Sequence, residues 1–122
     1  MANPHHAFGL AAERAVGDWL TDAGWRVVAE RTRSPGGGEV DLVALDPASA
    51  LVAVEVRARR TGRTGEPAVT VNPRRVGRLR RTLVAYAAAS GVPHRSLRVD
   101  LVSVEPATAA GRWRLVRLPG IG

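Results

Sequence analysis

The sequence predicts an α/β fold, a mixed central sheet of about five strands with flanking helices. Three observations predict it. Two segments carry apolar residues at helical spacing, Phe8 to Ala23 and Asn72 to Ser90. Five others alternate with a period of two or are rich in Val and Leu. The two kinds are interleaved as helix, three strands, helix, two strands, which places helices against a sheet rather than in a bundle. With 122 residues, no internal repeat and no linker, the chain reads as a single domain spanning 1–122.

Residues 1–7 carry no pattern and read as a loose N-terminus; the His5-His6 pair has no closed ligand set around it. In the first helix Phe8, Ala12, Ala15, Val16, Trp19 and Ala23 share a face, and Gly24 supplies a C-cap. Glu13 lies at the margin of that face, with Gly9 and Gly17 one helical turn away on either side, which leaves space around its carboxylate. Trp25 to Thr32 reads as the first strand. The segment Arg33-Ser34-Pro35-Gly36-Gly37-Gly38 then reads as a mobile loop on the substrate side, in preference to a plain hairpin turn. It lacks the Lys and Ser/Thr of a nucleotide-binding P-loop.

The stretch from Gly38 to Arg59 carries the chemistry. Gly38 to Leu45 and Leu51 to Arg59 alternate as strands, and Asp46-Pro47-Ala48-Ser49-Ala50 suits a hairpin loop of about five residues. With that loop, Leu45 faces Leu51, Val43 faces Ala53, Asp41 faces Glu55, and Glu39 faces Arg57. Like charges directly opposed on a sheet repel. A divalent cation between Asp41 and Glu55 resolves the conflict; so does a solvated face on which Arg57 and Arg59 neutralise the acids.

Residues 60–73 are rich in Gly and Thr and read as a loop, with a short strand at Ala68 to Val71. Asn72 as N-cap and Pro73 at the first helical position open the second helix, closed by Gly91. Val76, Leu79, Leu83, Tyr86, Ala87 and Ser90 form its inner face. Arg74, Arg78 and Arg81 lie opposite, Arg75 and Arg80 at the flanks, with no acid between 74 and 90. Such a stripe suits sequence-independent contacts to phosphates, for which Arg74, Arg75, Arg78 and Arg81 are the candidates. Leu97 to Glu105 and Arg112 to Leu118 are the last strands. Asp100 reads as a structural acid pairing with Arg98 or Arg114.

The net charge is +7, and all 18 basic residues are Arg. That excess favours an anionic partner, nucleic acid first, although a GC-rich coding bias also enriches Arg. The absence of cysteine excludes disulfides and thiolate zinc sites and fits a cytoplasmic setting. No apolar run approaches the ~20 residues that span a bilayer, and the first residues lack a signal-peptide layout.

Gly37-Gly38-Glu39-Val40-Asp41-Leu42 and Val54-Glu55-Val56-Arg57-Ala58-Arg59 closely resemble the motifs of the YraN-like uncharacterised bacterial proteins, and the resemblance runs roughly from Gly9 to Val104. Those proteins in turn resemble the restriction-endonuclease-like, or PD-(D/E)xK, nuclease superfamily. The resemblance implies a restriction-endonuclease-like fold and metal-dependent endonuclease chemistry on phosphodiester bonds, DNA ahead of RNA. It assigns Mg²⁺ or Mn²⁺ to Asp41 and Glu55 with Glu13 nearby, adds the Val56 carbonyl as a ligand, and sets Arg57 in the place of the signature lysine. A guanidinium is no general base, so Arg57 would orient water and bind developing charge. Two-fold homodimers are common among fold relatives. The alternative is a nuclease-like scaffold that binds DNA or RNA without cutting it.

Overall fold

The computed structural model describes residues 4–59, 72–107 and 112–121. Within them, α1 (Pro4–Asp22), β1 (Arg26–Thr32), β2 (Val40–Leu45), β3 (Ala50–Ala58), α2 (Pro73–Ser90), β4 (Ser96–Pro106) and β5 (Trp113–Leu118) follow in the expected order. One five-stranded sheet runs β1-β2-β3-β4-β5. β3 and β4 are parallel and every other neighbouring pair is antiparallel, so the sheet is mixed as the sequence predicts. The strand expected at Ala68 to Val71 lies outside the described residues.

Helices cover both faces of the sheet. Ala12, Val16 and Leu20 of α1 pack with Leu42, Ala44, Val52, Val54, Val102 and Val104. Val76, Leu79 and Leu83 of α2 pack with Val43, Leu51, Ala53 and Val99 on the other face. Alternation along β3 therefore sends Val52 and Val54 toward α1, and Leu51 and Ala53 toward α2.

The limits of α2 follow its caps. The Asn72 side chain accepts from Arg74 N at 3.0 Å, Pro73 opens the helix, and Gly91 at φ 67° ends it. The first helix differs from expectation. It starts at Pro4, so residues 4–7 are helical rather than loose; proline suits a first helical position. Its buried face turns on Leu20, 1% exposed, while Trp19 is 37% exposed. Ala12, Val16 and Leu20 repeat at a spacing of four, which places Trp19 beside the buried stripe.

The expected mobile loop is held against α2. Thr82 Oγ1 donates to Gly38 O at 2.6 Å, Gly38 N donates to Arg78 O at 3.3 Å, and Arg81 Nη1 donates to Gly36 O at 2.8 Å. A Cβ on Gly37 would come within 2.2 Å of Thr82 Oγ1, so the close approach requires glycine. Thr82 is fully buried, a core position that the inner-face pattern does not include.

Candidate metal and nucleic-acid site

The β2–β3 hairpin sets the register. Leu45 pairs with Leu51 and Val43 with Ala53, as the loop length predicts, and the paired stretch extends to Leu42 and Val54. The Asp46 side chain shapes the turn, its Oδ1 accepting from Ala48 N and Ala50 N at 2.9 Å each. Beyond Leu42 the carboxylate of Asp41 takes over from the backbone: its Oδ2 accepts from Val56 N at 2.7 Å.

Glu55 lies two residues from Ala53 and shares the face covered by α2, while Asp41 lies just beyond the end of the ladder, next to Val40, which also packs on α2. The two carboxyl groups meet through a side-chain hydrogen bond. Burial, then that hydrogen bond, then the Glu55 charge push the Asp41 pKa up to about 8, against the Val56 N–H, which favours the carboxylate. The Asp41 carboxyl therefore favours its protonated form.

Glu55 is 4% exposed, and Arg75 of α2 bonds its Oε2 through Nε. Arg75 is therefore turned to the sheet rather than free on the outer stripe. Sequence spacing sets it at the flank of α2, one residue before the buried Val76; what the sequence lacks is the partner across the fold. Arg57 shares the Glu55 face of β3, and with Asn72 and Ile121 it lines a small cavity beside the Glu55–Arg75 pair. Val76, expected at the inner face, is a core residue, 6% exposed. Arg74, Arg78 and Arg81 are exposed on α2 and line an open groove with Asn72 and Gly77.

Glu13 approaches from the other layer. It sits on α1 beside Leu42, 19% exposed, with Arg31 Nη1 at 3.9 Å. Burial is the main cause raising its pKa, and its Oε1 has no hydrogen-bond partner among the described residues. It is close enough to act electrostatically on Asp41, yet among the described residues no three His, Cys, Asp or Glu side chains cluster to hold a metal. Glu55 faces α2, whereas Glu13 belongs to α1 and lies beside Leu42. Arg31, its neighbour, adopts φ 45°, an uncommon conformation for a residue with a Cβ. Glu39 is not opposite Arg57. β2 begins after it, and Glu39 pairs with Arg33, Nη2 to Oε2 at 2.5 Å.

The donor set fits a hard divalent cation. All donors are oxygens, two carboxylates converge, and Mg²⁺ needs one or two carboxylates while keeping several waters. Asp41 and Glu55 would hold it.

The model of Uncharacterised protein family UPF0102 matches residues 12–104, a span that includes Glu13, Asp41, Glu55, Arg57 and Arg75. The chain belongs to this family. A UPF0102 protein of Beutenbergia cavernae is 39% identical over 116 residues, covering 95% of this chain and 96% of the relative. One of Symbiobacterium thermophilum is 40% identical over 98 residues, 80% and 81% of the two chains. One of Deinococcus radiodurans is 33% identical over 113 residues, 92% and 91%. The YraN-like resemblance thus stands as membership of UPF0102. Among the described residues of this UPF0102 chain, no helix is long and apolar enough to cross a membrane.

Proposed function

We propose that this UPF0102 protein binds nucleic acid, DNA ahead of RNA, and hydrolyses phosphodiester bonds with Mg²⁺ or Mn²⁺ held by Asp41 and Glu55. The observation that carries the reading is the meeting of the Asp41 and Glu55 carboxyl groups, near an arginine-lined groove that shares Asn72 with the Glu55 cavity. Repulsion between those acids makes the site costly without a positive charge or a proton. Held by Asp41 and Glu55, a cation would lower the pKa of a coordinated water and screen the phosphate charge.

The protein's own groups do the rest. Val56 N–H fixes the Asp41 carboxylate at 2.7 Å. Arg57 binds the developing negative charge and orients water; it takes no proton from it. Arg74 and Arg78 hold the flanking phosphates without reading sequence. Water oxygen adds to phosphorus as the bond to the leaving oxygen breaks, and the proton that the water gives up ends, by way of solvent, on that oxygen.

A second reading has its own observation. Glu55 already has a cationic partner in Arg75, and Arg57 replaces the signature lysine. A scaffold that binds nucleic acid without cutting it is consistent with both.

A cleavage screen over linear, single-stranded and branched substrates with Mg²⁺ and Mn²⁺ tests the first reading. Product formation by the wild type, lost in Glu55→Ala, supports hydrolysis. No product, with salt-sensitive binding that persists in chelator, favours the binding scaffold. In either case neutralising Arg74 and Arg78 together is expected to weaken binding about tenfold and to lower the salt slope by about two. Unchanged affinity would remove the groove from the account.

A further inference from the structure

Arg75 joins the acidic pair to the basic groove. Its Nε bonds the Glu55 Oε2, yet the side chain is 45% exposed while Glu55 is 4% exposed. The arginine is thus anchored at one edge of its guanidinium and open on the other side. The cavity beside the pair is closed by Val76, Leu79 and Ile121, which offer no acceptor to a displaced guanidinium. Ile121 is itself tied in place, its N donating to Val99 O at 2.9 Å. Asn72 lines both this cavity and the groove with Arg74 and Arg78, so the groove adjoins the guanidinium. A planar guanidinium matches a phosphate fork as well as a carboxylate.

We propose that Arg75 is an exchangeable counter-ion: it neutralises Glu55 until a divalent cation replaces it, and the released guanidinium then binds a phosphodiester oxygen at the groove. This rests on the reading of Asp41 and Glu55 as a metal centre and adds a coupling to it. Cation and nucleic acid promote each other's binding, because each favours the same displaced state of Arg75. Linkage makes the effect reciprocal. Arg75 is a positioning residue in this scheme while it sits on Glu55, and it becomes a substrate contact once released.

The test uses the whole chain and two probes, Mn²⁺ alone by calorimetry and a fluorescent DNA duplex with and without Ca²⁺. Arg75→Gln is expected to bind Mn²⁺ about tenfold more tightly than the wild type, since no guanidinium competes for Glu55. Ca²⁺ is expected to raise duplex affinity about tenfold in the wild type and not in Arg75→Gln. A support that is only structural would not tighten metal binding when removed. Arg75→Lys, which keeps a charge but loses the fork, gives an intermediate increase of about threefold and serves if Arg75→Gln fails to fold. Metal binding by the wild type that is unchanged or weaker in both variants overturns the exchange and leaves the metal centre standing. No Mn²⁺ binding by the wild type or either variant overturns both.

Discussion

Asp41→Asn is expected to abolish divalent-cation binding while leaving the metal-free fold intact, and above about pH 8 it is expected to make that fold more stable. The asparagine keeps both contacts of the protonated acid. Its Oδ1 can accept from Val56 N, and its amide can donate to Glu55. What it loses is the charge. Cation affinity should fall by at least on the order of 100-fold, read by calorimetry with Mn²⁺.

The stability effect follows from the proton. Burial and the hydrogen bond to Glu55 raise the Asp41 pKa from 3.8 to about 8, so the folded state keeps a proton that the unfolded chain releases. Stability from this group is full below the unfolded value and is lost as pH rises to about 8. Across that window the wild type loses up to about 1.4 kcal/mol per pH unit from this group, whereas Asp41→Asn has no such slope. Urea denaturation in chelator at about pH 5 and about pH 9 measures it. A variant that loses stability equally at both values would show that Asp41 serves the fold rather than the cation.

Asp100→Asn is expected to act in the opposite sense: about 3–5 kcal/mol of stability lost, cation binding kept. Asp100 is fully buried. It accepts from Arg98 Nε at 2.8 Å and Nη2 at 3.1 Å, from Arg117 Nη1 at 2.9 Å, and from Gly120 N at 2.9 Å. Arg98 continues to Asp46 at 3.0 Å, which ties the network to the β2–β3 turn. Both guanidinium groups lie over Trp25, at 5.9 and 5.2 Å from the ring centre. An amide would turn a donor toward these cations and remove the charge they share, leaving Arg98 with Asp46 alone. Asp100 pairs with Val54, whose side chain packs on the α1 face, so the network lies across the sheet from Glu55. Urea denaturation and an Mn²⁺ titration on one sample separate the two effects. A loss below about 1 kcal/mol would place the fold's strength elsewhere.

What could be read from the sequence was set by local rules. A five-residue loop and strict alternation fix Leu45 opposite Leu51, and everything from Leu42 to Leu45 follows. Asn72-Pro73 and Gly91 fix α2 to its ends. Reading fails where the partner lies far along the chain. Glu55 and Arg75 stand 20 residues apart in sequence, and nothing in either strand or helix names the other. Asp100 takes Arg117 rather than Arg114, because Arg114 turns to Glu105 at 3.2 Å. Glu39 takes Arg33, six residues away, rather than Arg57 across a ladder that ends sooner. In α1, alanine-rich spacing leaves the choice between Trp19 and Leu20 to packing against the sheet.

The central claim is that the carboxylates of Asp41 and Glu55 hold one divalent cation between them. Crystals grown with Mn²⁺ and measured for anomalous scattering test it directly. The account predicts a strong peak within coordination distance of both carboxylates, about 2.0–2.3 Å, with Arg75 moved off Glu55. A site without a peak, Arg75 still on Glu55, and Asp41 hydrogen-bonded to Glu55 at saturating Mn²⁺ would contradict it.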